Sequence, residues 1–565
     1  MGFIQSSLVL LLCAVAQGSS NYTTSKIQWG PCDDIEVNST IPRECSDFQV
    51  PLDYTKPTSN QTLTLQLLRI PAAVQPSQGS IQINFGGPGE PGRASLVQLG
   101  NVLQALSGGS YDLVAFDPRG TGNTLNFWCY KNDVDMLTSA YEYQLGNSSE
   151  VALGRQWARA TIEADLCREN AAQNGSLIST AFGARDLMQV AEALQDDGLL
   201  RYWGFSYGTT LGATVAAMFP DRIDKMVLDG VQNPHQYYHA LADFEEWTDS
   251  DKVFSAIFTG CVASPENCAM ASNGNNNSRT AAELEAAVWA ALDELKQRPL
   301  ALGGRLVLDY SVLKGLLAQN LYDAAGWPGL AKLLDLLLRG DAEGLADAVA
   351  LSVGRSMSDI DAIRASLTVS AAIAGIHCGE RQVRAATLDE VLPAVAELYN
   401  TSRVMGDVTT LLTMTCAQWQ IEPRERYEGP LDGVRTRNPV LFVGNTYDGH
   451  TPLISAHNVS SGFEGSVVLE VNGYGHTSLA APSLCTLRTT SAYWQNGTLP
   501  EAGTVCAVDA PLYSNVTWVD VIQAATVGND TSLPSSTAVS LLGRDASSFS
   551  HEVPHLGRIF RRGVV

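Results

Sequence analysis

The chain contains no uninterrupted apolar run of 18 residues, so nothing in it reads as a membrane span. Its cysteines never recur as Cys-x-x-Cys, which argues against structural zinc and thiol redox chemistry. The glycine-rich stretches end without Lys-Ser or Lys-Thr, so there is no phosphate-cradling loop and no implied cofactor. Cations are scarce: 36 Lys and Arg stand against 59 Asp and Glu, a formal charge of −23. A surface this acidic repels phosphate backbones and argues against nucleic acid as a partner.

What remains describes a large globular protein. Of 565 residues, 45% are hydrophobic and 17% charged, enough to bury a sizeable core. That length suits one α/β core carrying an inserted subdomain. Residues 1–18 read as a secretory signal, with an apolar segment Leu8–Val15 and the small-x-small site Ala14-Val15-Ala16 before Gln17. They lack the usual Lys or Arg ahead of that segment. The ten cysteines beyond Cys13 are an even set for an oxidising, extracellular compartment. Sequence does not fix their connectivity. Pairing of neighbours is the simplest arrangement: Cys32–Cys45, Cys129–Cys167, Cys261–Cys268, Cys378–Cys416 and Cys485–Cys506. Eleven Asn-x-Ser/Thr sequons point to N-linked glycans on a secreted protein.

Along the chain, strand-like runs at Leu63–Ile70, Ser80–Phe85, Tyr111–Phe116, Leu199–Trp203 and Ile223–Gly230 alternate with helical patterning such as Asp186–Leu194. This predicts an α/β fold with a mostly parallel, doubly wound sheet, whose sites lie at the carboxyl ends of strands. From 233 to 437 the strand signal fades, and Thr280–Gln297, Tyr310–Leu338 and Asp359–Ala374 carry helical patterns. The expected organisation is a core over 19–232 and 438–532, a helical cap over 233–437, and a disordered tail over 533–565.

The chemistry centres on Gly204-Phe205-Ser206-Tyr207-Gly208, set between an apolar run and the small residues Thr209–Ala217. A strand turning sharply into a helix there would lift the Ser206 hydroxyl clear of the sheet. A serine needs a base to take its proton. Two resumed strands, Pro439–Gly444 and Ser466–Val471, lead to Asp448 and then His476, giving the order Ser, Asp, His. Asp448 would orient His476, and His476 would deprotonate Ser206. The backbone N–H groups of Tyr207 and of Gly87, in Gly86-Gly87-Pro88-Gly89, would form the oxyanion hole. His235 and His239 are spaced as a metal pair, but they lack a His-Glu-x-x-His glutamate and a third ligand, so no metal is assigned.

With these residues assembled, the chain resembles the secreted tripeptidyl aminopeptidase branch of the α/β-hydrolases, related to proline iminopeptidases. The likeness runs from Val50-Pro51-Leu52-Asp53-Tyr54 through Gly86–Gly89, Asp117–Gly122, Gly204–Thr209, Asp448 with Thr451-Pro452, and Gly475-His476. The segment around Cys485 and Cys506 is similar to that family's TAP-like C-terminal module. The resemblance implies an α/β-hydrolase fold with a large inserted helical cap. It also implies a secreted serine aminopeptidase that releases short, tripeptide-sized pieces from free N-termini. Cap carboxylates would hold the substrate amine, with Glu380 in the matching place and Glu245 and Glu246 as alternatives. Glu90-Pro91 departs from the Gly-Ser common there. Related hydrolases act on esters or amides of small molecules with the same machinery, so peptide and small-molecule substrates both stay open.

Overall fold

The computed structural model describes residues 27–527 apart from 36–38, 142–143, 196, 272–278, 304–305 and 353–359. The expected leader and tail, and the sequons at Asn21, Asn38, Asn276 and Asn529, lie outside the described residues.

Eleven strands are described. Nine form one sheet: β1 (Glu44–Pro51), β2 (Thr62–Ile70), β3 (Ser80–Asn84), β4 (Asp112–Phe116), β5 (Leu200–Phe205), β6 (Ile223–Asp229), β9 (Leu441–Tyr447), β10 (Val467–Tyr474) and β11 (Val505–Ala507). Their spatial order is β1-β2-β4-β3-β5-β6-β9-β10-β11, antiparallel at β1/β2 and β2/β4 and parallel at the other pairings. Strands β3 and β4 are buried at every position, as a sheet covered on both faces requires. Helices Thr180–Leu194, Tyr207–Met218 and Leu453–Ser461 cover one face; Gly92–Leu106, Leu484–Asn496 and Trp518–Val527 cover the other.

Strands β9 and β10 run further than their apolar runs suggest. β9 continues to Tyr447 and β10 to Tyr474, and these tyrosines stack with ring centroids 4.4 Å apart. The extension carries Asp448 and the His476 loop to the same edge of the sheet. The region between β6 and β9 is helical, except for a two-stranded ribbon, β7 (Leu300–Leu302) with β8 (Leu306–Leu308), that its short runs did not announce. The pattern over Tyr310–Leu338 folds as two helices, Tyr310–Gln319 and Trp327–Arg339. Asp323 caps the turn before the second helix, and Pro328 fits that helix's first turn, where no N–H bond is lost. The break delivers Tyr322 to the sheet edge. The helical layer also reaches outside the expected cap, because Ala160 of helix Ala152–Gly175 packs with Val391, Val395, Met414 and Ala417.

Five disulfides join Cys32–Cys45, Cys129–Cys167, Cys261–Cys268, Cys378–Cys416 and Cys485–Cys506, consistent with an extracellular setting. Among the described residues no helix is long and apolar enough to cross a membrane. The sequon asparagines 60, 147, 400, 458, 496 and 515 are exposed, whereas Asn174 is half-buried and donates its amide to Asn126 O.

Candidate active site

Ser206 sits between β5 and helix Tyr207–Met218 with φ 56° and ψ −126°, a conformation that L-residues avoid. The sharp turn brings strand and helix so close that a Cβ on Gly204 would lie 2.2 Å from Gly208 O. Tyr207 N is the first N–H of this helix, 3.0 Å from where a Cβ on Gly86 would stand. Facing it is the loop after β3. Gly86 N–H is taken by Asn84 Oδ1 at 2.9 Å, whereas among the described residues Gly87 N–H has no acceptor. Both glycines have positive φ, 88° and 101°.

Gly86 is the tightest point of this junction. A methyl there would stand 2.5 Å from Phe205 O and 2.8 Å from Ser206 Cβ. Gly86→Ala must therefore push the loop off the serine. Its expected cost is about 10²-fold in kcat on a short acyl ester, the scale of a misplaced oxyanion donor. A variant with wild-type kcat would show that this loop does not face the reacting atoms.

At the ends of β9 and β10, His476 Nδ1 lies 3.1 and 3.0 Å from the two carboxylate oxygens of Asp448. Both side chains are buried. Asp448 Oδ1 also accepts from His450 N and Thr451 N, each at 2.9 Å. Its Oδ2 accepts from Thr451 Oγ1 at 2.8 Å and Thr477 N at 3.0 Å. Burial opposes the charge on Asp448, but the His476 ring and these N–H donors outweigh it and hold the carboxyl below its usual range. Thr451 Oγ1 is also 3.0 Å from His476 Nδ1, so it braces both partners. Asn445, fully buried, donates its amide to Gly475 O at 2.8 Å and Thr477 O at 2.6 Å, clamping the carbonyls on either side of the histidine. Tyr322 O accepts His476 N–H at 2.8 Å. Sequence reasoning gave no role to Asn445, Thr451, Tyr322 or Asp229, though an Asn within the strand before the acid was a faint signal.

The three expected amine-holding carboxylates have different surroundings. Glu380 is completely buried; its Oε1 accepts Thr180 N–H at 2.6 Å, and burial pushes its carboxyl up to about 7. Its Oε2 is buried with no hydrogen-bond partner among the described residues. Glu245 is occupied by Asn233, Ser455 and Asn458, which fasten the short helix Glu245–Trp247 to the core. Glu246, next along, remains partly exposed. Burial, then the charge of Asp243, raises its carboxyl well above the ordinary range, and Asp448 adds to the same effect. Asp243 is itself held by Arg381 at 2.6 Å and His377 at 3.3 Å. Glu90 is buried and accepts from Ser95 Oγ at 3.0 Å, which anchors the Gly86–Gly89 loop to the following helix. Both Glu246 and Glu90 lie within electrostatic reach of Tyr322. His235 and His239 turn to different partners, Asp432 and Gln382.

Residues 85–259 match the family described as alpha/beta hydrolase fold, and residues 402–506 match the family described as TAP-like protein. The chain is similar to a tripeptidyl aminopeptidase of Streptomyces lividans, 26% identical over 477 residues, covering 81% of this chain and 82% of the relative. It is similar to the serine protease Hip1 of Mycobacterium tuberculosis, 28% identical over 528 residues, covering 88% of this chain and 95% of the relative. A carboxylesterase B of Mycobacterium tuberculosis is 24% identical over 499 residues, with coverage of 85% and 89%.

Proposed function

The chain belongs to the TAP-like family of alpha/beta hydrolases, and on that premise we propose that it is a secreted serine aminopeptidase removing short, tripeptide-sized pieces from free N-termini. The observation that carries the hydrolytic half of this reading is the buried Asp448–His476 pair at the sheet edge that also holds Ser206 and the Gly86–Gly89 loop. Ser206 Oγ attacks the scissile carbonyl while His476 takes its proton. The N–H groups of Gly87 and Tyr207 stabilise the oxyanion. His476 then protonates the departing amine, and water repeats the sequence on the acyl-enzyme. Asp448 stabilises the imidazolium and fixes its tautomer throughout.

The exopeptidase half rests on Glu246, together with the likeness to a tripeptidyl aminopeptidase and a serine protease. Burial and Asp243 disfavour the charged form of Glu246, and a cation placed beside it would favour that form. An incoming ammonium supplies that cation and favours the ionised form of Glu246. Glu246→Gln should therefore cut the preference for a free-amine tripeptide anilide over its N-acetylated twin by about 30-fold in kcat/KM, the scale of one buried charge pair. An unchanged preference would place amine recognition elsewhere. A wild-type enzyme that cleaves short acyl esters but neither anilide would favour the small-molecule hydrolase reading, in keeping with the carboxylesterase-named relative.

A further inference from the structure

Asp229, the last residue of β6, is 1% exposed and bonds in two directions. Its main-chain carbonyl accepts the N–H of Ser206 at 3.1 Å. Its carboxylate accepts the backbone N–H of Ser478 at 2.8 Å and the Ser478 hydroxyl at 2.5 Å. Ser478 stands two residues beyond His476. Between them Thr477 adopts φ 64° and ψ 164°, which a β-branched side chain adopts only when its surroundings impose it.

The remaining ties of this loop hold it from other sides: Asn445 by the carbonyls, Asp448 by Thr477 N–H, Tyr322 by His476 N–H. Asp229 differs from them because the same residue also bonds the nucleophile's backbone. The contact is close: a Cβ on Gly230 would lie 2.6 Å from Thr477 Cγ2, so the loop rests directly on the end of β6. An uncharged residue would cost less to bury at this strand end, since burial drives the Asp229 carboxyl up to about 7. What a carboxylate adds is a rigid fork of two acceptors, matched to the two donors of Ser478.

The geometry points to Asp229 as a positioning residue that locks the loop bearing the general base to the strand end bearing the nucleophile. This rests on the proposed roles of Ser206 and His476. Asp229 itself touches no reacting atom; it fixes the line along which His476 meets the serine hydroxyl. Loss of the fork lets the strained Thr477 relax and His476 drift, which lowers kcat and leaves substrate binding little altered.

The test uses p-nitrophenyl acetate turnover and fluorophosphonate labelling of Ser206 in the full chain, with Asp229→Ala, Asp229→Asn, Ser478→Ala and the double variant Asp229→Asn/Ser478→Ala. Asp229→Ala is expected to lose about 50-fold in kcat and in labelling rate, with KM within about threefold. Asparagine keeps an acceptor for Ser478 N–H and an amide that can bond its hydroxyl, so it should recover activity to within about fivefold of wild type. Ser478→Ala should cost about fivefold, and the double variant should be less impaired than the product of its two singles. If Asp229→Ala does not fold, the asparagine and serine variants carry the test alone. Wild-type kcat in a folded Asp229→Ala, or independent effects in the double variant, would overturn the brace. A wild-type enzyme inert to the phosphonate would instead overturn the nucleophile assignment beneath it.

Discussion

Ser206→Ala is expected to lower kcat by about 10⁶-fold, the scale seen when the nucleophile of a serine–histidine–acid constellation is removed. The substitution takes away one hydroxyl and little else. Alanine keeps the Cβ, so the turn at φ 56° is no more strained than before. The bond from residue 206 N–H to Asp229 O, and the 2.6 Å bond from Thr209 Oγ1 to residue 206 O, both persist. The melting temperature should therefore stay close to wild type while fluorophosphonate labelling vanishes. A residual rate will survive, because the N–H donors of Gly87 and Tyr207 still polarise a bound carbonyl. Labelling that persists in Ser206→Ala would identify a different nucleophile.

Asp448→Asn should cost about 10⁴-fold in kcat, through tautomer rather than geometry. Four donors besides His476 converge on this side chain: His450 N, Thr451 N, Thr451 Oγ1 and Thr477 N. A carboxylate accepts all of them. An amide must turn an NH₂ group toward one side, where it faces either backbone donors or His476 Nδ1. If it faces His476, the imidazole is forced to carry its proton on Nε2 and can no longer accept from Ser206. Stability shifts with a definite sign. The folded-state pKa of Asp448 lies below the ordinary aspartate value of 3.8, so the charged side chain contributes stability above that value and loses it as pH falls through the lower, folded one. The melting-temperature gap between wild type and Asp448→Asn should thus be full at neutral pH and narrow below 3.8. A gap that widens on acidification would contradict this assignment of the charge.

The parts of this molecule that sequence makes legible are the local ones. Gly204 and Gly208 around Ser206 announce a turn that only glycine's missing Cβ permits, and the short apolar runs announce buried parallel strands. Asp448 and His476 are legible because each follows such a run in the order the chemistry needs. Asn445 and Asp229 are not, since a buried Asn or Asp reads as a strand-end turn until its distant partner is known. The partners here, Gly475, Thr477 and Ser478, lie 30 to 249 positions away along the chain. The burial of Glu380 is not legible for a related reason: it depends on how the cap helices lie on the core, and helical periodicity at Ile360–Glu380 does not encode it. The break at Asn320–Gly326 is hard to read because leucine-rich patterning continues on both sides, although Trp327-Pro328 marks a new first turn.

Cleavage from a free N-terminus through Ser206 is tested by the products of one nonapeptide. The peptide would be offered with its amino terminus free and acetylated, and the fragments followed by mass spectrometry with wild-type enzyme and Ser206→Ala. The expected result is successive release of short N-terminal pieces, tripeptides foremost, from the free peptide alone and with wild-type enzyme alone. Internal cuts, or equal cleavage of the acetylated peptide, would contradict it.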